Sequence, residues 1–415
     1  MDNQLNGPEQ ATLITRKRSG RLWMAFILGA LGAFGPLSMD MYLPALPEVA
    51  NDMNTSTSLA QMSLTACLLG LAIGQIIAGP LSDIRGRRTP LLGGLVIYIV
   101  SSLLCALSPT ISVFVVVRFI QGMAGSAGIV IGRAIVRDLY SGTELTKFFS
   151  LLMLVNGVAP IFAPIAGGQL LKVTSWSGVF IFLSLFGVLM FLAVFFGLPE
   201  TLTGERRSRG GIKNIAGTFG QLIRQRIFMG YALSQGFVLA GMFAYISGSP
   251  FVLQKIFGLS PQMFSLVFAL NGLGIIIATQ TTGRLAGRIR EEKLLSVGLG
   301  MAFLASISLL VMIMTGAGLF GILPPLFIVV SSVGIVTTAA FSLAMQNQGK
   351  AAGSASSLLG VLSMIIGALV APLVGIGGSQ TAVPMGIVIA AMGTGAVFSY
   401  LVLIREGRQV QKVKN

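Results

Sequence analysis

The sequence predicts an all-α membrane protein of twelve transmembrane helices, arranged as two six-helix pseudo-repeat bundles with both termini cytoplasmic. Three observations predict it. The 415 residues are 54% hydrophobic and 10% charged, where soluble domains carry about 25% charged residues. Apolar stretches near the roughly 20 residues needed to cross a bilayer recur along the whole chain. The basic residues fall almost entirely on one side of those stretches.

The first six spans are expected at about 22–42, 59–81, 89–107, 111–135, 148–170 and 179–198. The second six follow at about 227–247, 263–282, 294–315, 319–345, 352–374 and 383–404. Alternating short apolar strands are absent, which argues against a β-barrel. Arg16, Lys17, Arg18 and Arg21 precede the first span. Arg85, Arg87 and Arg88 fill the second gap, and Arg133, Arg137 and Lys147 the fourth. The sixth gap holds Arg206, Arg207, Arg209, Lys213, Arg224 and Arg226. Arg284, Arg288, Arg290 and Lys293 fill the eighth, Lys350 the tenth, and Arg405, Arg408, Lys412 and Lys414 follow the last span. The odd gaps hold only Lys172 and Lys255. This is the positive-inside pattern, and it places the termini and the even gaps in the cytoplasm. The net charge of +15 is therefore read as topology, with no nucleic-acid partner. The first span follows a basic stretch as a secretory signal would, but it is too long, lacks a small-residue cleavage site and is taken as retained.

The sixth gap is the longest and most charged break. Cutting there divides the chain into a cytoplasmic segment (1–21), a first bundle (22–198), a basic linker (199–226), a second bundle (227–404) and a tail (405–415). A short echo links the bundles: Gly79 to Gly86 follows the second span, and Gly283 to Arg290 follows its counterpart. Repeated halves about an axis along the membrane normal are a transporter plan, with the site between them near the midplane. Gly29, Gly32 and Gly35 in the first span, and Gly122, Gly125 and Gly128 in the fourth, suit close helix approach in lipid.

Asp40 is the one carboxylate within an expected span, and the chain has no histidine. An acid in hydrocarbon is costly and marks a functional site by default. The second half has no acid between Glu205 and Glu291 or between Glu292 and Glu406. Its contribution to any cavity must come from shape, aromatic surface and neutral polar groups. Candidates for the cavity are Tyr42, Gln121, Asn156, Gln235, Phe237, Tyr245, Asn271 and Gln346. Cys67 and Cys105 lie in spans and form neither a disulfide framework nor a metal spacing. Nothing in the sequence makes a metal cluster, a nucleophile–base pair or a phosphate loop, so no enzyme and no cofactor is expected.

Three motifs resemble a known family. Gly79-Pro80-Leu81-Ser82-Asp83-Ile84-Arg85-Gly86-Arg87-Arg88 resembles the cytoplasmic signature G-x-L-a-D-r-x-G-r-r of the major facilitator superfamily, with Ile84 where an Arg is usual. The resemblance implies the major facilitator fold and a conformational latch at Gly79, Asp83, Arg85, Gly86, Arg87 and Arg88 that holds the outward-open state together; Arg133, Arg137 and Asp138 end the fourth span on the same side and are its expected partners. Arg118-Phe119-Ile120-Gln121-Gly122 resembles the R-x-x-q-G motif of drug:proton antiporters in that superfamily. The run Asn156 to Gly168, with Gly157, Pro160, Pro164, Gly167 and Gly168, is similar to the antiporter signature g-x-x-x-G-P-x-x-G-G, with Ala159 and Ala163 in place of its leading glycines. Its doubled Ala-Pro steps, with Asp40-Met41-Tyr42-Leu43-Pro44, most resemble Bcr/CflA-like multidrug exporters.

These resemblances imply a proton-coupled antiporter of the bacterial cell (inner) membrane that exports lipophilic drugs by alternating access. Asp40 is expected to carry the proton and Arg118 to tune it; the alternative for Arg118 is a structural arginine bound to backbone carbonyls. Expected partners are small lipophilic or cationic drugs, protons and membrane lipids, with a monomer as the working unit and the proton gradient as the energy source. The alternative function is a same-fold carrier of one physiological solute, such as an amino acid or sugar derivative.

Overall fold

A computed structural model describes residues 23–24, 26–140, 142–202, 213–346, 348 and 352–405, with some side chains in these ranges left undescribed. Eleven helices among the described residues are long and apolar enough to cross a membrane. In chain order these and two further helices are α1 (Phe26–Asp52), α2 (Thr57–Arg85), α3 (Arg88–Ala106), α4 (Ile111–Leu139), α5 (Gly142–Leu170), α6 (Trp176–Gly197), α7 (Lys213–Arg224), α8 (Arg226–Ile256), α9 (Pro261–Leu285), α10 (Glu291–Met314), α11 (Gly318–Met345), α12 (Ala352–Val370) and α13 (Val383–Ser399). With the 29-residue α5, twelve helices are long enough to span. No β-sheet forms among the described residues.

Local chemistry sets several boundaries. Ser56, Thr110 and Ser260 cap α2, α4 and α9, each hydroxyl accepting from a backbone N–H three residues on, at 3.3, 3.4 and 3.2 Å. These bonds satisfy otherwise orphaned donors. Gly86, at φ +90°, ends α2 in a backbone region that side chains disfavour. α1 continues past its expected end at 42 to Asp52, but a tight turn at Leu43–Ala45 breaks it. Pro44 and Pro47 supply no backbone donor there.

The gap read as a linker contains α7. Its short apolar stripe was too brief for a span, yet Leu222 is buried with Phe228 and Tyr231 of α8.

α2 and α4 approach until backbone meets backbone. A Cβ on Gly70 would strike the Phe119 carbonyl, and one on Gly122 the Cys67 carbonyl. In lipid, where no hydrophobic effect drives helix against helix, such close packing helps to hold spans together. The first and second sets of helices meet along two seams. α5 packs on α9, and α2 packs on α12 and the turn Ala371–Gly375 that follows it.

Candidate functional site

Between these seams lies a cavity of about 1020 Å³, walled by α1, α2, α4, α5, α8, α9, α11 and α12. One end is shut. There Gln61 Nε2 donates to the Ser247 carbonyl at 3.1 Å, Gln254 to Pro44 at 3.1 Å, Gln262 to Gly168 at 2.7 Å and Ser265 to Pro164 at 2.7 Å. Ser58 reaches the Pro372 carbonyl at 3.4 Å. These five side-chain hydrogen bonds join the two halves, and all of them lie at this end. The cavity extends the other way, to Asp83, Arg87, Arg133 and Arg137, where the basic clusters sit.

Asp40 lines the cavity just before the break in α1 and is 7% exposed. Among the described residues its carboxyl has neither an ion-pair nor a hydrogen-bond partner. An acid in such a place is uncompensated when ionised.

Arg118 does not pair with Asp40 and does not line the cavity. It is fully buried behind α1. Nη2 donates to the Ser38 carbonyl at 2.9 Å and Nη1 to Gln121 Oε1 at 2.5 Å. Its guanidinium stacks over the rings of Tyr42, at 4.6 Å, and Phe180, at 5.4 Å. Gln121 in turn donates to Ser102 at 2.7 Å. The expected direct tuning of Asp40 by Arg118 is thus replaced by a grip on the backbone two residues before the acid. The physical reason is that a buried guanidinium needs acceptors: the Ser38 carbonyl and Gln121 serve its two terminal nitrogens and the ring faces cover its plane, while Nε has no partner among the described residues.

The cavity candidates divide accordingly. Gln235, Tyr245 and Asn271 line it, and Asn271 Nδ2 donates to the Tyr245 hydroxyl at 2.8 Å. Tyr42 and Gln121 do not; they face Arg118, and Tyr42 also hydrogen-bonds Ser63. Phe237 packs beside Gly395 instead. Gln346 is exposed at the basic end and donates to Glu291 at 2.8 Å. The Asn156 side chain lies outside the described residues. Sequence reasoning missed Met39, Met242, Phe243 and Phe268 in the wall, because apolar residues in a span carry no mark of which face they occupy.

The expected latch residues gather around one arginine. Arg87, 4% exposed, reaches Asp83 at 2.5 Å, Asp138 at 2.8 Å and the Ser82 hydroxyl at 2.9 Å. Burial opposes its charge, but the bonds to Asp138 and Asp83 outweigh burial and hold the guanidinium above its ordinary pKa. Arg88 donates to the Phe195 carbonyl and lies over the Phe195 ring at 5.3 Å. Arg85 is exposed, while Arg133 and Arg137 border the cavity rather than joining Asp83. Glu200, inside the segment 199–226 expected as a linker, accepts from the backbone N–H groups of Arg87 at 2.8 Å and Arg88 at 3.1 Å. The signal was available as an acid directly after the sixth span.

On α5, Pro160 lines the cavity, the Pro164 and Gly168 carbonyls accept the bonds from α9, and Gly167 sits where a Cβ would strike the Met41 carbonyl. Gly157 has open space at its Cβ position.

Comparison with known proteins agrees with this architecture. Residues 26–372 match the Major Facilitator Superfamily. YdgK of Bacillus subtilis (strain 168), described as an uncharacterized MFS-type transporter, is 49% identical over 383 residues, covering 91% of this chain and 95% of the relative. A Haemophilus influenzae protein described as a bicyclomycin resistance protein homolog is 31% identical over 374 residues, covering 90% and 93%. Among solved structures, a bacterial homolog of the human lysosomal transporter Spinster, in an inward-facing and unoccupied conformation, superposes with a TM-score of 0.74 at 16% identity, covering 94% and 98%. A helical membrane chain with a cavity between two packed halves, matched over most of its length in this way, belongs to the Major Facilitator Superfamily and is a multi-pass transporter of the bacterial cell membrane rather than an enzyme.

Proposed function

We propose that the protein is a proton-coupled antiporter that exports lipophilic drugs by alternating access. The observation that carries this reading is Asp40, an unpaired carboxylate in the wall of a largely apolar cavity. The acid takes a proton from outside, and drug displaces that proton when the cavity faces the cytoplasm. Proton and drug then compete for one space, which couples their opposite movements. Arg118 acts from behind, fixing the α1 backbone at Ser38 and so the position of Asp40. The basic end is the cytoplasmic end, and the bundles 22–198 and 227–404 rock about the α5–α9 and α2–α12 seams. The resistance named in the Haemophilus influenzae relative's description supports drugs as cargo.

The test is drug accumulation in cells with and without expression, with an uncoupler as control. Wild type lowers accumulation until the uncoupler is added. Asp40→Asn, which cannot exchange a proton, loses uphill efflux. Export against a gradient at the wild-type rate by Asp40→Asn refutes the coupling scheme.

A further inference from the structure

We propose that the cavity favours uncharged lipophilic molecules bearing amide or hydroxyl groups over permanent cations, and that Gln235 on α8 recognises those groups. The proposal rests on the drug-carrier reading above and specifies its cargo. Gln235 is 7% exposed and lines the cavity, yet its amide has no hydrogen-bond partner among the described residues, and its Oε1 is sequestered. A buried amide without a partner is rare because desolvation is left uncompensated. Its remaining edge faces the space where cargo sits. On neighbouring α9, Asn271 has given its Nδ2 to Tyr245, which fixes the amide and leaves its carbonyl as an acceptor.

Charge in the cavity is distributed unevenly. The lining residues from α8, α9, α11 and α12 are all neutral. The charged ones are Asp40, Asp83, Arg87, Arg133 and Arg137, all from the first half. Asp83 and Arg87 are paired with each other. Asp138, behind the lining, shares the same guanidinium, so the mouth holds Arg133 and Arg137 against one surplus carboxylate and stays net positive, with one carboxyl at depth. A cation entering from the basic end meets repulsion before it meets Asp40, within the roughly 8 Å over which charge acts at physiological salt. A neutral molecule meets none, and finds an unpaired amide within.

The test is equilibrium binding to the purified full-length protein in lipid nanodiscs, without a proton gradient. Chloramphenicol serves as the uncharged amide-diol probe and tetraphenylphosphonium as the permanent cation. Gln235→Leu is expected to weaken chloramphenicol about ten-fold, the scale of one lost hydrogen bond in a dry site, and to leave tetraphenylphosphonium unchanged. The double variant Arg133→Gln, Arg137→Gln is expected to strengthen tetraphenylphosphonium several-fold and to leave chloramphenicol unchanged. If Gln235→Leu does not purify folded, Gln235→Met carries the same comparison. Unchanged chloramphenicol affinity in the Gln235 variant, equal loss for both probes, or a cation affinity indifferent to the two arginines overturns the proposal alone. Wild-type protein that binds neither probe overturns it together with the drug-carrier reading. Because binding needs no gradient, failure of proton coupling leaves this readout intact.

Discussion

Arg118→Lys separates a guanidinium that holds backbone from a cation that acts by its charge. Lysine keeps the positive charge, but places it on one nitrogen instead of a planar fork. In the structure that fork bonds the Ser38 carbonyl and Gln121 at once, while its face covers the Tyr42 and Phe180 rings. One ammonium cannot reproduce this set. Losing one charge-assisted bond costs about 1.5–3 kcal/mol, and losing the planar stack about 1 kcal/mol more. Over 415 residues, at about 2.1 cal/mol/K of unfolding entropy per residue, the sum of about 3 kcal/mol predicts a melting temperature lower by about 3–4 °C. Cys67 and Cys105 are both fully buried, so a thiol-reactive fluorophore reports their exposure as the purified protein is heated. Transport should fall with stability, since the carbonyl that Arg118 grips lies two residues before Asp40. If Arg118→Lys melts within about 1 °C of wild type and transports normally, charge alone suffices and the backbone-grip argument is wrong.

The other expectations concern packing, the basic-end latch and coupling. Gly122→Ala forces a methyl against the Cys67 carbonyl, a backbone atom that cannot swing aside, and should destabilise by about 1–3 kcal/mol in the same thiol assay, whereas Gly157→Ala, with nothing within 4 Å, should melt like wild type. Partial burial pulls the Glu200 carboxyl up, but backbone N–H groups of Leu202, Arg87, Arg88 and Thr201 outweigh it and hold the carboxyl below its usual value. Its contribution is therefore present above pH about 4.5 and lost as the pH falls through the lowered folded value, so melting curves of Glu200→Gln and wild type should differ at pH 7 and converge in acid. Asp40→Asn should still bind an uncharged drug while losing uphill export, which binding and accumulation measured side by side will show.

Much of the fold was legible because lipid imposes a simple code. A span must be apolar for its whole width, and cations stay on the cytoplasmic side, so twelve helices could be counted from composition alone. Helix ends were less legible: α2 and α4 extend to Arg85 and Leu139, beyond the apolar runs that announce them, because a helix need not stop where the hydrocarbon does. α7 escaped because its apolar residues are too few for a membrane and bury against α8 instead. The site divided along the same line. Asp40 stood out as a charge out of place, and the structure sets it in the cavity. Tyr42 and Gln121 were equally conspicuous as polar groups in spans, yet they serve Arg118, because polarity marks a need for partners without saying whether the partner is cargo or protein. Arg118 and Asp40 sit on separate helices, and no spacing rule reports how two helices are rotated about their axes.

That rotation explains why the break in α1 matters. α1 presents Asp40 to the cavity while its backbone at Ser38 is held by Arg118. One residue beyond the acid, the Met41 carbonyl lies against Gly167 of α5, so closely that no side chain fits between them. Three residues further, the Pro44 carbonyl accepts from Gln254 of the second half. Within seven residues, α1 is therefore tied to α4, to α5 and across the seam to α8. The ties are made through backbone carbonyls, at a point where Pro44 and Pro47 have already interrupted the helix's own ladder. Opening of the closed end, which must release Gln254 from Pro44, therefore acts on the segment that carries the acid. Proximity along one chain segment, rather than an ion pair between Asp40 and Arg118, is what links the seal to the buried acid.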